Sequence, residues 1–230
     1  MKLLKESRNN SAFLLTELLN GLKGTDFEEC VNTLNFDKAY EILLAQFPYK
    51  SEYVGNFTSA LYKIGIDPLE YMSAIPNYFL HSNEDITNIT TPARNLDSIG
   101  AMSFYHCKNL KTASLTASTI HTIEMGAFSS CTQLESVTLP DSLQLIEDYA
   151  FEGCRNLTYI ELPEGLKTIG AQAFSDCPSL QYIKVPKSVT SLGYNVFGNC
   201  SHSCRILVPK KFANRKKWQW ETSVECIEYY

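Results

Sequence analysis

Leu157-Thr158-Tyr159-Ile160-Glu161-Leu162-Pro163 is followed, after Glu164 and Gly165, by Leu166-Lys167-Thr168-Ile169-Gly170-Ala171-Gln172-Ala173-Phe174-Ser175-Asp176-Cys177, and these two stretches decide how the chain folds. In the first, Ile160 and Leu162 alternate as a strand requires, and Pro163 lacks the N–H that would continue a ladder. In the second, Ile169, Ala173 and Cys177 recur at i, i+4 and i+8 beside Phe174. That spacing predicts a short helical turn with one apolar side.

The same pattern recurs along the chain. Phe104, Phe128, Phe151, Phe174 and Phe197 are separated by 24, 23, 23 and 23 residues, and a cysteine follows each by three: Cys107, Cys131, Cys154, Cys177 and Cys200. A fixed period of this length, with fixed apolar positions, is the mark of a solenoid in which each repeat forms one coil. One coil cannot bury its own apolar face, so several must stack.

Outward from the repeats, Ile86-x-x-Ile89-x-Thr91-Pro92 matches the strand half without the helical half, which predicts a bare opening strand. Ile206, Val208 and Pro209 predict the last one. The chain divides on this basis into residues 1–85, a small all-α region, then 86–209, five repeats plus the opening strand, and 210–230, a C-terminal cap. Six parallel strands form one sheet, making an α/β solenoid.

Residues 1–85 show no repeat. Phe13, Leu14, Leu18 and Leu22 follow helical spacing, Asp26 precedes a helix through Leu34, and further helices are expected over 36–47, 52–64 and 68–80. Such a region caps the first coil or recruits something else. At the far end, Lys210 to Lys217 predicts a helix over the last coil, with Trp218 and Trp220 covering its core. Val224, Cys226 and Ile227 predict a short final strand.

The motif L-x-x-I-x-L-P…L-x-x-I-G-x-x-A-F-x-x-C resembles the BspA-like leucine-rich repeats, also called the Treponema pallidum type, over about residues 86–209. The resemblance implies a right-handed, curved coil with a parallel sheet, acting as a protein-recognition scaffold. Bacterial and protist surface proteins, some phage proteins and many secreted adhesins belong to that family.

Composition narrows the function. The chain has 230 residues, 20 Lys and Arg against 25 Asp and Glu, and 44% hydrophobic residues. That excludes a wholly disordered chain, and no apolar run approaches the roughly 18 residues that cross a bilayer. The first residues mix Lys2, Lys5 and Arg8 with Glu6, unlike a secretory signal. Residues 1–85 carry 7 basic against 12 acidic side chains, 86–209 carry 8 against 10, and 210–230 carry 5 against 3. This distribution argues against bulk attraction to nucleic acid and leaves the tail as a local exception.

The cysteine column is spaced by a coil's length, whereas zinc ligands come in close pairs. It predicts a reduced core ladder, no metal, and a reducing, cytoplasmic location, since stacked thiols about 5 Å apart would mispair under oxidising conditions. Cys200, His202 and Cys204 are a weaker cluster that predicts core cysteines around an exposed histidine. His81, His106, His121 and His202 lie in unrelated contexts, with His106 and His121 expected to point outward. The adjacent Glu147 and Asp148 suit a solvated turn, and neither a phosphate loop nor a nucleophile motif occurs. No enzyme and no cofactor are expected.

Two surfaces remain. The tail Lys210, Lys211, Arg215, Lys216, Lys217 with Trp218 and Trp220 could neutralise phosphates and stack on bases, although a cap is required there in any case. The outward strand positions begin as small groups, Asn88/Thr90, Thr112/Ser114 and Ser136/Thr138, and then become Tyr159/Glu161, Tyr182/Lys184 and Arg205/Leu207. Tyrosine and arginine are enriched among binding hot spots. Tyr159, Glu161, Tyr182, Lys184 and Arg205 are therefore the expected contact residues for a partner protein. An exported adhesin or host-interaction factor is the further alternative.

Overall fold

The computed structural model describes residues 20–22, 25–47, 51–63, 66–91, 96–117, 119–214 and 227–230. Each coil contributes two short strands, and like strands of successive coils pair in parallel. One sheet contains β1 (Asn88–Thr90), β3 (Thr112–Ser114), β5 (Ser136–Thr138), β7 (Tyr159–Ile160), β9 (Tyr182–Lys184), β11 (Arg205–Val208) and β12 (Ile227–Tyr229), in that order. A second contains β2 (Ser98–Ile99), β4 (Thr122–Ile123), β6 (Leu145–Ile146), β8 (Thr168–Ile169) and β10 (Ser191–Leu192). The core lies between them. Ile99, Ile123, Ile146 and Ile169 enter it from one side, and Ile160, Ile183 and Ile206 from the other.

The helical turn expected in each coil is absent among the described residues, and the physical reason is spacing. α-Helices pack with axes about 8–10 Å apart, while strands stack at about 4.8 Å. The phenylalanine column records the stack. Phe104, Phe128, Phe151, Phe174 and Phe197 are near-parallel rings whose centroids are 5.0, 5.3, 5.3 and 6.1 Å apart. An α-helix per coil would not fit.

A run of turns replaces it, in which every second N–H leaves the coil. Tyr149, Phe151 and Gly153 donate to the carbonyls of Ala171, Ala173 and Ser175 at 2.8–2.9 Å. The intervening Glu152 and Cys154 donate back three residues, to Tyr149 and Phe151. The alternation needs left-handed backbone at intervals, seen at Tyr149 (φ 61) and Gly153 (φ 69), and again at Gln172 and Asp176 (both φ 54).

The cysteine column lies in the core beside the phenylalanines, every member a free, buried thiol. Each Sγ donates to the carbonyl of the preceding coil's aromatic position: Cys131 to Phe104 at 3.0 Å, Cys154 to Phe128 at 3.2 Å, Cys177 to Phe151 at 3.3 Å. A small apolar group with one weak donor fits a site that offers one carbonyl.

The opening strand is not bare. Ile75 bridges Ile99 in parallel, and Tyr78, Leu80 and Ser82 donate to the carbonyls of Ala101, Ser103 and Tyr105, as each later coil does to its successor. Cys107 Sγ donates to Leu80 O at 3.0 Å, which places Leu80 at the phenylalanine position and Asn83 at the cysteine position. The helix expected over 68–80 is accordingly a 3-10 turn at Pro68–Glu70 followed by this turn half. Asn83 can replace cysteine because its neighbour is a helix. Its Nδ2 donates to Ser59 Oγ at 2.6 Å, and its Oδ1 accepts from the N–H groups of Asp85 and Ile86.

Between Phe27 and that coil the described residues form α1 (Phe27–Asn32), α2 (Phe36–Gln46) and α3 (Ser51–Lys63). Asp26 stands at the start of α1 without a side-chain capping bond, and Thr25 Oγ1 accepts from Phe27 N instead. Asn35 caps α2 through Lys38 N. Phe27, Phe36, Tyr40 and Phe57 form an aromatic cluster that reaches the first coil at Phe79, 5.6 Å from Tyr40. The core is continuous from these helices to the last coil. The helix expected over 13–22 falls outside the described residues except for Asn20–Leu22.

At the C-terminal end, Lys210–Phe212 is a single 3-10 turn, and β12 pairs in parallel with β11 through Ile206 with Ile227 and Val208 with Tyr229. The expectations for Arg215, Lys216, Lys217, Trp218, Trp220, Val224 and Cys226 lie outside the described residues.

Candidate functional site

Strand alternation builds the site. Along β7, β9 and β11 the isoleucines turn inward and their neighbours outward, which leaves Tyr159, Glu161, Lys184 and Arg205 exposed and Tyr182 half-buried. Register then aligns the outward residues across the sheet. Ser136 pairs with Tyr159, Tyr159 with Tyr182, and Tyr182 with Arg205, while Lys184 pairs with Leu207. The repeat of 23 residues thus converts a sequence interval into a row of adjacent side chains.

Tyr159, Glu161, Tyr182 and Lys184 line one depression of about 610 Å³, together with Asp141, Glu164, Leu139 and the hydroxyl residues Ser136 and Thr138. Tyr159 is 50% exposed, matched among the large apolar side chains of the described residues by Tyr194 alone. Arg205 is not part of the lining. Its Nε and Nη2 form a two-point ion pair with Glu228 of β12, at 2.7 and 2.9 Å. That contact holds the Glu228 carboxyl below the usual carboxylate range. Lys184 Nζ stands 3.6 Å from Glu164 and 5.3 Å over the ring of Tyr230, whose hydroxyl donates to Val185 O.

The small-residue end of the same face is closed by its own contacts. Thr112 Oγ1 donates to Asn88 Oδ1 at 2.7 Å, for example. Cys200 and Cys204 are buried and His202 is exposed, and no metal-binding cluster occurs among the described residues. His121 is exposed, whereas His106 is half-buried: its ring stacks 5.7 Å from Tyr105, with Nδ1 buried and lacking a hydrogen-bond partner.

A second aromatic strip was not anticipated. Met125 (43% exposed) and Tyr194 (50%) project from the turn side, and the neighbouring Tyr194 raises the Tyr149 phenol above its ordinary value. The signal was their position directly after each second strand, within the segment assigned to an inward helical half. On that side carboxylates serve the stack itself. Glu124 accepts from Ala101 N, Glu147 from Met125 N, and Asp148 from Ala171 N.

Comparison with known proteins agrees with this geometry. The T. pallidum leucine-rich repeat protein TpLRR is 28% identical with a TM-score of 0.53, over 59% of this chain and 63% of that one. A leucine-rich repeat protein from Eubacterium ventriosum is 28% identical with a TM-score of 0.51, over 58% and 36%. The pneumococcal vaccine antigen PcpA, at 23% identity and a TM-score of 0.53 over 65% and 37%, shares the fold. The match spans less than two thirds of the length of each. No curated protein sequence matches significantly. The family model for the BspA type leucine rich repeat region matches residues 70–217 in 6 copies, one more than the phenylalanine column shows and in keeping with the coil found at 75–91. By its repeats and its fold, the chain belongs to the BspA-type leucine-rich repeat family.

Proposed function

We propose that this chain is a non-enzymatic recognition scaffold that docks a partner protein on the strand face of its C-terminal coils, with Tyr159 and Tyr182 as anchors. The family generally serves protein interaction or adhesion. The observation that carries the assignment to this face is a half-exposed tyrosine beside a second one in a single 610 Å³ depression. Core packing gives no reason for aromatic residues at these outward positions, and rigid aromatic anchors lose little entropy on binding. Glu161 and Lys184 orient the partner from the same depression. Arg205 acts from the edge, already held by Glu228. The helices α1–α3 at one end, and Lys210–Phe212 with β12 at the other, serve as caps on the coils between them.

No helix among the described residues is long and apolar enough to cross a membrane. A reducing, cytoplasmic location suits a column of free buried thiols. Cross-linking in cells followed by affinity purification, with and without nuclease, identifies the partner. Loss of that partner on nuclease treatment would favour the basic tail over the strand face.

A further inference from the structure

The charges around the depression say what the partner presents. Four ionisable groups besides the tyrosines line it: Asp141, Glu161, Glu164 and Lys184. Lys184 is committed to Glu164 and to the face of Tyr230. Lys187 lies over the same Tyr230 ring outside the lining, and Arg205 on the strand face is paired by two bonds to Glu228. Asp141 and Glu161 have no ion-pair partner among the described residues, so the depression keeps two uncompensated carboxylates beside two tyrosines. Covering them with a neutral or acidic segment would desolvate both without a counter-charge. A cationic side chain would pair with the carboxylates and also lie against a tyrosine face. Arginine suits this best, because its planar guanidinium can stack on a ring while forking to a carboxylate.

We infer that the depression at Tyr159 and Tyr182 accepts an arginine-bearing extended segment of the partner protein, held between the rings and the carboxylates of Asp141 and Glu161. This rests on the strand-face docking proposed above. Ser136 and Thr138 offer hydroxyls along the same row to the backbone of such a segment. Binding weakens as salt screens the pair.

The probe is the peptide acetyl-Gly-Arg-Gly-Arg-Gly-amide, compared with its citrulline counterpart, which keeps the shape and removes the charge. Titration into the full chain, read by tyrosine ring resonances, should show the arginine peptide at least about tenfold tighter. Asp141→Asn combined with Glu161→Gln should remove that preference while leaving the denaturation midpoint unchanged. Equal affinity for both peptides, or an arginine preference that survives the double substitution, overturns the inference. Self-association of the chain abolished by the double substitution would assign the depression to the basic tail of a second copy, and overturns it equally. With an identified partner the two proposals separate. Loss of binding in Tyr159→Ala but not in the double carboxamide variant leaves the docking face and removes the arginine. Indifference to both removes the docking face itself.

Discussion

Phe151 lies 5.3 Å from the rings of both Phe128 and Phe174, and Phe174 lies 6.1 Å from Phe197, all fully buried. Replacing Phe151 or Phe174 by alanine leaves a cavity inside a column that cannot collapse without losing its register, and should lower stability by about 3–5 kcal/mol. Alanine at the exposed Arg155 should change it by under about 0.5 kcal/mol, with denaturant midpoints separating the two. Gly170 is a different constraint. Its backbone is not left-handed, but a Cβ there would meet the backbone nitrogen of Asp148 at 2.4 Å, so Gly170→Ala should cost about 1–3 kcal/mol through displacement of the neighbouring coil. The phenylalanines, cysteines and isoleucines were legible in sequence because each repeats at one interval with one chemistry. Gln172 was not. It looks like a freely variable surface residue, yet its backbone stands at φ 54 and carries an inter-coil bond to Tyr194 O, a demand that periodicity of side-chain type does not record.

Among elements, the strand half of the coil followed its sequence and the other half did not. Alternation of Ile160 and Leu162 states a period of two, which only a strand satisfies. The i, i+4, i+8 spacing of Ile169, Ala173 and Cys177 fits a helix equally well as it fits a two-residue strand followed by turns. The deciding quantity is the distance to the next coil, which no single repeat contains. Asn83 hid the first coil for a related reason, since a polar residue at the cysteine position is tolerated only where Ser59 of α3 supplies its partner. The thiol column makes its own prediction. Burial pushes Cys131, Cys154 and Cys177 above their ordinary value of 9.0. The unfolded chain loses these protons above about pH 9 while the folded chain keeps them, so their contribution is complete below that pH and declines as pH rises. The slope approaches about 1.4 kcal/mol per pH unit for each thiol. Urea midpoints should accordingly fall between pH 8 and pH 10, and a Cys154→Ala variant should fall less steeply. The same native thiols should react with alkylating reagents only at the rate of unfolding.

For the whole molecule, stacking makes the ends the weak points and the faces the useful ones. The helices bury Phe79 and Leu80 of the first coil, so a chain beginning at residue 75 would expose that core; it should aggregate or unfold at lower denaturant, with hydrogen exchange fastest in the coil at 75–91. Two aromatic strips face solvent on opposite halves of the coil. Tyr159 and Tyr182 line the strand-side depression, and the exposed Tyr194 stands on the turn side. The strand-side residues were legible because outward strand positions follow directly from inward ones. Their charge balance was not, since the pairs Arg205–Glu228 and Lys184–Glu164 join residues of different coils or loops. The strand side is the proposed binding face. The most direct measurement is the affinity of the identified partner for Tyr159→Ala, Tyr182→Ala and Tyr194→Ala, each with its denaturation midpoint determined. The first two should lose at least about 1–2 kcal/mol of binding with stability intact, and the third should bind as the unmodified chain does. Full affinity in Tyr159→Ala and Tyr182→Ala, with the loss found in Tyr194→Ala, would place recognition on the turn side and contradict it.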